Sequence, residues 1–522
     1  MVFKDDPFHK ERKVAKQKLT LSNATDTGHI HVGKGLNSAA LGVVGSTVIG
    51  LASTAPLYSL AATLGYVILA VGAQAPVVFI VACIPMVFAA LAYQELNREM
   101  PDCGTAFVWG AKAFGPIIGW IGGWAVAVSA VMVLANVGEI SGQYFWLLLG
   151  NEEFASNRTI VVTTAVVFIA LMTFISTVGV QIGEKMQMIL MVVQIGAMVA
   201  FAIAAVVHAV SGSNPDSVAF DWAWFDITQI TEYGGFIEAV LLALFIYWGW
   251  DTCLALNEET KNPRTVPGRA ALLSIAVLIV LYVGVTVAAM MFAGMGDSGT
   301  GLTVEENLDD VFSVLSGALF GPWGWFLILA VMVSAASSTQ TTILPTARGT
   351  LSMAVYRALP AKFALLHPKF KTPWFSTTVM GIAAIAYYVV MSIVSQDILA
   401  DSLLSMGLAI ALYYTIVCFA CVWYYRDTLR DSARNLWMRG IFPTLGGLML
   451  GYAFVQSAID MIDPEYGYTV FFGIGGVFVI GIGALALGLV VMGLWALNKD
   501  AKPYFRGESL NRDTPVLVPD EG

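Results

Sequence analysis

The feature that most constrains this chain is a series of apolar runs, each long enough to cross the roughly 30 Å hydrocarbon core of a bilayer as a helix. They fall near residues 39–66, 74–97, 115–149, 158–177, 185–209, 235–257, 268–293, 322–347, 374–395, 398–425, 440–462 and 469–497, which predicts twelve spans. Of the 522 residues, 57% are hydrophobic and 12% charged, whereas a soluble domain carries about 25% charged residues. A helix is the one open-ended element that satisfies its own backbone polar groups in lipid, so the expected fold is an all-α polytopic membrane protein.

The basic residues test this layout independently. With both termini cytoplasmic, 26 of the 27 lysines and arginines fall in inward-facing segments, and Arg158 alone falls outside. That meets the positive-inside rule. The outward loops are acidic, with Asp216, Asp221, Asp226 and Glu232 before span 6 and Asp297, Glu305, Glu306, Asp309 and Asp310 after span 7. Such loops either draw cations to the outer mouth or are solvated surface lacking positive charge. The net charge of −9 is segregated by membrane side and carries no signal for nucleic acid. The expected partner is the lipid bilayer of the cytoplasmic membrane. The division is a tail (1–38), ten spans (39–425), a linker (426–439), a closing pair (440–497) and a second tail (498–522). Residues 1–35 are polar, so the first span is expected to act as its own insertion signal.

Within span 6 the stretch FIYWGWDTCLALNEETKNPRTVP, Phe245 to Pro267, breaks its apolar pattern at Trp248-Gly249-Trp250-Asp251. A helix at membrane depth is interrupted only where protein or a wet cavity satisfies the freed backbone, so the break predicts a binding site. An ionised Asp251 there costs about 2.5–3.5 kcal/mol, which calls for a wet cavity, a partner or a functional role; the alternative is that it merely caps the second half-helix. Span 1 contains GLASTAPLYS, Gly50 to Ser59, in which Pro56 removes one backbone donor. If the first ten spans form two five-helix halves of opposite topology, spans 1 and 6 correspond and both are interrupted, which marks a site between them.

Other patterns call for packing. Gly115-x3-Gly119-x3-Gly123 and Gly447-x3-Gly451 are small-residue faces. The run Gly473 to Gly483 sits in an apolar span with no strand before it and is no phosphate loop. The five cysteines, Cys83, Cys103, Cys253, Cys418 and Cys421, lie in or beside apolar segments and make neither a disulfide framework nor a zinc cluster.

Three stretches carry a family resemblance. YQELNREMPDCGTAF, Tyr93 to Phe107, resembles the Tyr-x-Glu-Leu, Pro and Gly signature of the amino acid/polyamine/organocation (APC) permeases. The Phe245 to Pro267 stretch is similar to that family's sixth helix, with Glu258, Asn262 and Pro263 in a Glu-x-x-x-Asn-Pro pattern. TARGTLSMAVYRALP, Thr346 to Pro360, looks like the stretch that follows the eighth helix. The first break departs from the common Gly-Ser-Gly form. The resemblance implies a five-plus-five inverted-repeat (LeuT-like) core with discontinuous helices 1 and 6, plus two peripheral helices. It also implies a substrate with an amino group between the breaks. Amides near Pro56, Leu57 and Tyr58 suit a carboxylate, and carbonyls near Thr54, Tyr247 and Trp248 suit an ammonium, with Ser53 and Ala55 beside them in the candidate substrate set. Phe245 falls at the position of a gating aromatic, and Asp251 completes the candidate substrate set.

For a coupling ion the resemblance leaves two readings. Ser337 and Ser338 match the hydroxyls that relatives offer to sodium, a hard cation that an oxygen cage suits. Gln194 stands where proton-coupled relatives place a lysine, while Glu139, Glu238, Asp251 and His208 are proton-carrier candidates. The expected function is ion-coupled import of an amino acid or related amine by alternating access, with a putrescine-like polyamine or an exchanger as alternatives. No cofactor beyond Na⁺ or H⁺ is expected. An enzyme would need converging catalytic groups at membrane depth, and three of the five histidines lie within the first 31 residues. A nutrient sensor on the same scaffold would need a signalling domain longer than either tail.

Overall fold

A computed structural model describes residues 33–304, 308 and 310–517. Most of the tail expected over 1–38, and Glu305, Glu306 and Asp309 of the acidic loop, lie outside the described residues. The chain runs α1 (Val43–Ser53), α2 (Pro56–Ala61), α3 (Leu64–Val71), α4 (Ala75–Glu99), α5 (Ala106–Phe114), α6 (Pro116–Leu148), α7 (Arg158–Val178) and α8 (Val180–Ser211). It continues with α9 (Tyr233–Ile246), α10 (Thr252–Ala255), α11 (Val266–Ala293), α12 (Val311–Phe320), α13 (Trp325–Val355), α14 (Trp374–Val394), α15 (Gln396–Tyr424), α16 (Phe442–Asp460) and α17 (Gly476–Ala496). A hairpin of Val470–Phe471 and Ile474–Gly475 precedes α17.

Among the described residues eleven helical stretches are long and apolar enough to cross a membrane, so the chain is an all-α, multi-pass membrane protein. The expected sixth span, 235–257, is not among them, because it is split into α9 and α10. Sequence periodicity also missed α5 and α12, two short helices in what reads as loop.

Burial separates centre from rim. The best spanning windows of Val43–Ala61 and Trp325–Val355 are 78% buried, against 17% for Gly476–Ala496. The bundle is therefore built around α1, α2 and α13, and α17 presents its apolar side chains outward. Around α1 pack α8, α10, α11 and α13. Of the first small-residue face, Gly119 packs as its spacing implies, since a side chain there would meet the Phe107 carbonyl at 2.6 Å and only hydrogen lets α6 lie against α5. Gly115 is instead the positive-φ turn (φ +95°) before α6, with nothing within 4 Å of a Cβ. Gly447 faces Phe419 and Cys418 of α15. All five cysteines are free and buried.

At one end of the bundle the linker after α15 returns to α4. Glu95, its side chain 1% exposed, accepts from Arg439 Nε at 2.8 Å and from Arg434, and Arg98 sits 2.9 Å away. The Arg439 guanidinium lies 4.1 Å over the Tyr425 ring, whose hydroxyl donates to the Glu95 carbonyl. This charged knot fixes α16 against α4 and α15.

Candidate functional site

Two interruptions meet inside the bundle. The first is Thr54-Ala55 between α1 and α2, with Ala55 in the left-handed region at φ 47° and Pro56 opening the next helix. Proline at the first helical position loses no helical hydrogen bond, which is why the chain restarts there. The second is Tyr247–Asp251 between α9 and α10, with Gly249 at φ +116°. A Cβ on Gly249 would lie 2.8 Å from the Ser53 carbonyl carbon and oxygen and 3.0 Å from Thr54 N, so the two breaks are in backbone contact. Ser53 Oγ and Thr252 Oγ1 share a hydrogen bond of 2.8 Å, which closes the junction.

Several of the freed backbone groups find partners nearby. The Thr54 carbonyl accepts from Ser59 Oγ at 2.6 Å, and the Ala55 carbonyl from Ser59 N at 2.8 Å. The Ser53 carbonyl accepts from Ser338 Oγ at 3.1 Å. The Tyr58 N–H donates to Ser334 Oγ at 3.2 Å, and the Tyr58 hydroxyl to Asn136 Oδ1 at 2.9 Å. On the second break, Ile246 O accepts from Tyr282 OH at 2.8 Å and Tyr247 OH donates to Phe79 O at 3.1 Å. The carbonyls of Tyr247 and Trp248 lie between the hydrogen-bond ladders of α9 and α10.

Asp251 faces α15. Its Oδ1 accepts from Tyr414 OH at 2.9 Å, and Tyr413 OH lies 3.4 Å from Oδ2; Trp248 Nε1 in turn donates to Tyr413 OH. Trp250 stacks on Tyr414 at 5.3 Å and 12°, with Tyr93 edge-on to both. The carboxyl is thus engaged by the bundle. Phe245 is half-buried near the end of α9, and Ala55 and Leu57 are buried in the core.

The ion-coupling candidates are dispersed. Ser338 reaches the first break, but the Ser337 hydroxyl donates to Gln187 Oε1, and Gln187 Nε2 returns to Ser337 O at 3.0 Å and Gln340 Oε1 at 2.6 Å. Because the two hydroxyls do not converge on one point in this conformation, they make only part of the oxygen cage that sodium requires. Gln194 is fully buried, and neither amide atom has a partner among the described residues. Glu139 is ion-paired with Arg158, the one basic residue that departs from the charge layout. Glu238 is exposed on α9, and His208 hydrogen-bonds Ser213 near the end of α8. The structure therefore gathers Ser53, Thr54, Ala55, Pro56, Trp248, Asp251 and Ser338, and leaves Glu139, Glu238 and His208 apart. Tyr413, Tyr414, Asn136, Ser334 and Thr252 escaped sequence reasoning. The adjacent tyrosines in mid-span were the available signal, since a buried hydroxyl requires a partner.

A second polar cluster closes the end of the bundle that holds both described chain ends. Lys34 Nζ lies 2.6 Å from Asp102 Oδ1 and 2.6 Å from Glu258 Oε1, with Cys103 Sγ at 3.6 Å. Ligand atoms of Asp102, Cys103 and Glu258 lie within 4.8 Å of one another, and the ammonium supplies the positive charge between them. Burial alone would lower the pKa of Lys34, but Asp102, Cys103 and Glu258 hold it well above the usual range. Burial would raise Asp102, but Lys34 and donors from Gly104 and Ser352 keep it below its usual value. Beside this cluster the fully buried Arg348 and Glu259 pair at 2.5 Å. Asn97 ties the same elbow, accepting from Asn257 at 2.8 Å and donating to Pro263 O at 2.7 Å.

The geometry agrees with the comparisons. A family model described as amino acid permease matches residues 38–495. The chain is 22% identical over 391 residues to a serine/threonine exchanger of Bacillus subtilis, covering 74% of this chain and 83% of that protein. It is 26% identical over 325 residues to a methylthioribose transporter of the same organism, covering 59% and 65%. It is 28% identical over 276 residues to a branched-chain amino acid permease of Lactococcus lactis, covering 50% and 58%. The members are transporters and not enzymes, and this chain belongs to the amino acid permease family, among the APC permeases.

Proposed function

We propose that this chain is an ion-coupled secondary transporter that imports a zwitterionic amino acid with an uncharged side chain. The carrying observation is the contact of Gly249 with Ser53 and Thr54, which puts both interruptions at one place. There the Leu57 amide, the first in α2 after the proline, suits a carboxylate, and the carbonyls of Tyr247 and Trp248 suit an ammonium. A zwitterion needs nothing more. A diamine has cations at both ends and needs acidic side chains, yet Glu139 is committed to Arg158, Glu238 is exposed and Asp251 is held by tyrosines. That accounting favours an amino acid over a polyamine. The relatives named for serine/threonine and branched-chain amino acids support the same class.

In this reading the core over 39–425 alternates access around the two breaks, with α16 and α17 as peripheral helices. The end carrying Lys34 and Glu258 faces the cytoplasm, where it opens to release substrate. Ser338, Ser337 and Gln194 are the groups through which a coupling ion, sodium or a proton, would act. Purified protein in liposomes, given labelled amino acids and diamines under imposed sodium or proton gradients, tests the proposal. Accumulation of a neutral amino acid under one gradient is expected, and accumulation of diamines alone would overturn it.

A further inference from the structure

We propose that the C-terminal segment 498–517 is a strap that holds the Lys34 end of the transporter shut, so that releasing it speeds opening there. The inference rests on the transport reading, since it concerns the step at which that end must open.

A polar stretch after the last span has no need to dock, yet this one is fastened at several independent points. Tyr504 is fully buried, its ring stacks on Phe107 at 5.5 Å, and its hydroxyl donates to Pro116 O at 2.6 Å. Leu510 is buried as well. Ser509 Oγ donates to Tyr356 O at 2.6 Å, and Lys112 Nζ donates to Thr514 O at 2.5 Å. Arg512 reaches Tyr424 O and Asp427 Oδ2, both at 3.1 Å. One short segment thus spans the ends of α5, α6, α13 and α15.

The strap also reaches the closure itself. Tyr356, whose carbonyl it holds, donates its hydroxyl to Asp102 Oδ2 at 2.9 Å, and Asp102 carries Lys34, which bridges to Glu258 on the elbow after α10. To open this end, the elbow must part from Asp102 and Lys34. The strap fixes the wall from which it parts: by holding the Tyr356 carbonyl it keeps the Tyr356 hydroxyl seated on Asp102, and so keeps Asp102 set for Lys34 and the elbow. Releasing the strap frees Tyr356 and loosens that seat, and the expected effect on opening is about tenfold.

Cys103 provides the readout, because its thiol sits beneath Lys34 and is covered while the end is shut. In the full chain, Cys83, Cys253, Cys418 and Cys421 are replaced by serine and the alkylation rate of Cys103 by a maleimide is measured. A chain ending at Lys499 is expected to react about tenfold faster, and the full chain carrying Ser509→Ala with Arg512→Ala to fall between. A companion protein retaining Cys83 alone, in mid-span on α4, is expected to keep its rate. An unchanged Cys103 rate in both variants, or a parallel rise at Cys83 that signals general loosening, would overturn the strap. The labelling needs no substrate, so it fails or succeeds separately from the uptake experiment.

Discussion

Ser53 and Thr252, 199 residues apart in sequence, share a hydrogen bond of 2.8 Å across the two interrupted helices. With the two breaks also in backbone contact at Gly249, a link this short makes the junction sensitive to the smallest change in backbone volume. The predictions below start from that junction and move outward.

Gly249→Ala should impair both stability and uptake. The left-handed φ of +116° disfavours any side chain, and the new Cβ would lie 2.8 Å from the Ser53 carbonyl. Strain of this kind costs about 1–3 kcal/mol. A lowered Tm in detergent with loss of uptake is expected, and wild-type behaviour in both would show that the breaks are not in contact.

Tyr414→Phe should destabilise more than Tyr413→Phe, because Tyr414 donates to Asp251 at 2.9 Å and Tyr413 lies at 3.4 Å. Leaving a buried polar group without its partner costs about 1–3 kcal/mol. Combining Tyr414→Phe with Asp251→Asn should cost less than the sum of the two, as measured by a double-mutant cycle on thermal unfolding. If Asp251 is committed to α15, Asp251→Asn should also leave KM for a neutral amino acid within about threefold of wild type.

Arg348→Met should be among the most damaging substitutions outside the junction. It would strand Glu259, fully buried beside it, at a cost of about 3–5 kcal/mol. Adding Glu259→Gln should recover part of that loss, which expression level and Tm will report. Equal damage in the single and double variants would mean the pair acts through shape and not charge.

The Lys34 cluster makes a pH prediction. Asp102, held below its usual 3.8, contributes stability that is present above about pH 4 and is lost as pH falls through the depressed value. Lys34, held above 10.5, contributes stability that is present below about pH 10.5 and is lost as pH rises through the raised value. Between about pH 5 and pH 9 this cluster should leave Tm flat. In Lys34→Met, Asp102 loses its main cation and burial pushes its carboxyl back up, so the acid-side fall should shrink or reverse; an unchanged profile would refute the pairing.

Much of the fold was legible because span length and hydropathy are local properties. The breaks were legible too, since Gly249 and Pro56 act on their own backbone. Pairing across the bundle was not. Arg158 reads from sequence as an exception to a charge rule, and only the packing of α6 beside α7 reveals Glu139 as its partner. The segment 498–517 reads as a polar tail, yet Leu510 is buried and Tyr504 finds a pocket beside Phe107 and Pro116, hundreds of positions away. Likewise Ser337 and Ser338 are neighbours in the chain, but a helix turns successive side chains about 100° apart, which sends one to Gln187 and the other to Ser53.

The knot at Glu95 has a mechanical corollary. One carboxylate gripping arginines from the segment before α16 couples that helix to α4 as a trailer is hitched to a vehicle. Any tilt of α4 in the bilayer must drag α16 with it through the surrounding lipid. A fluorophore on the outer surface of α16 would therefore register movement of a helix that is itself largely hidden from view.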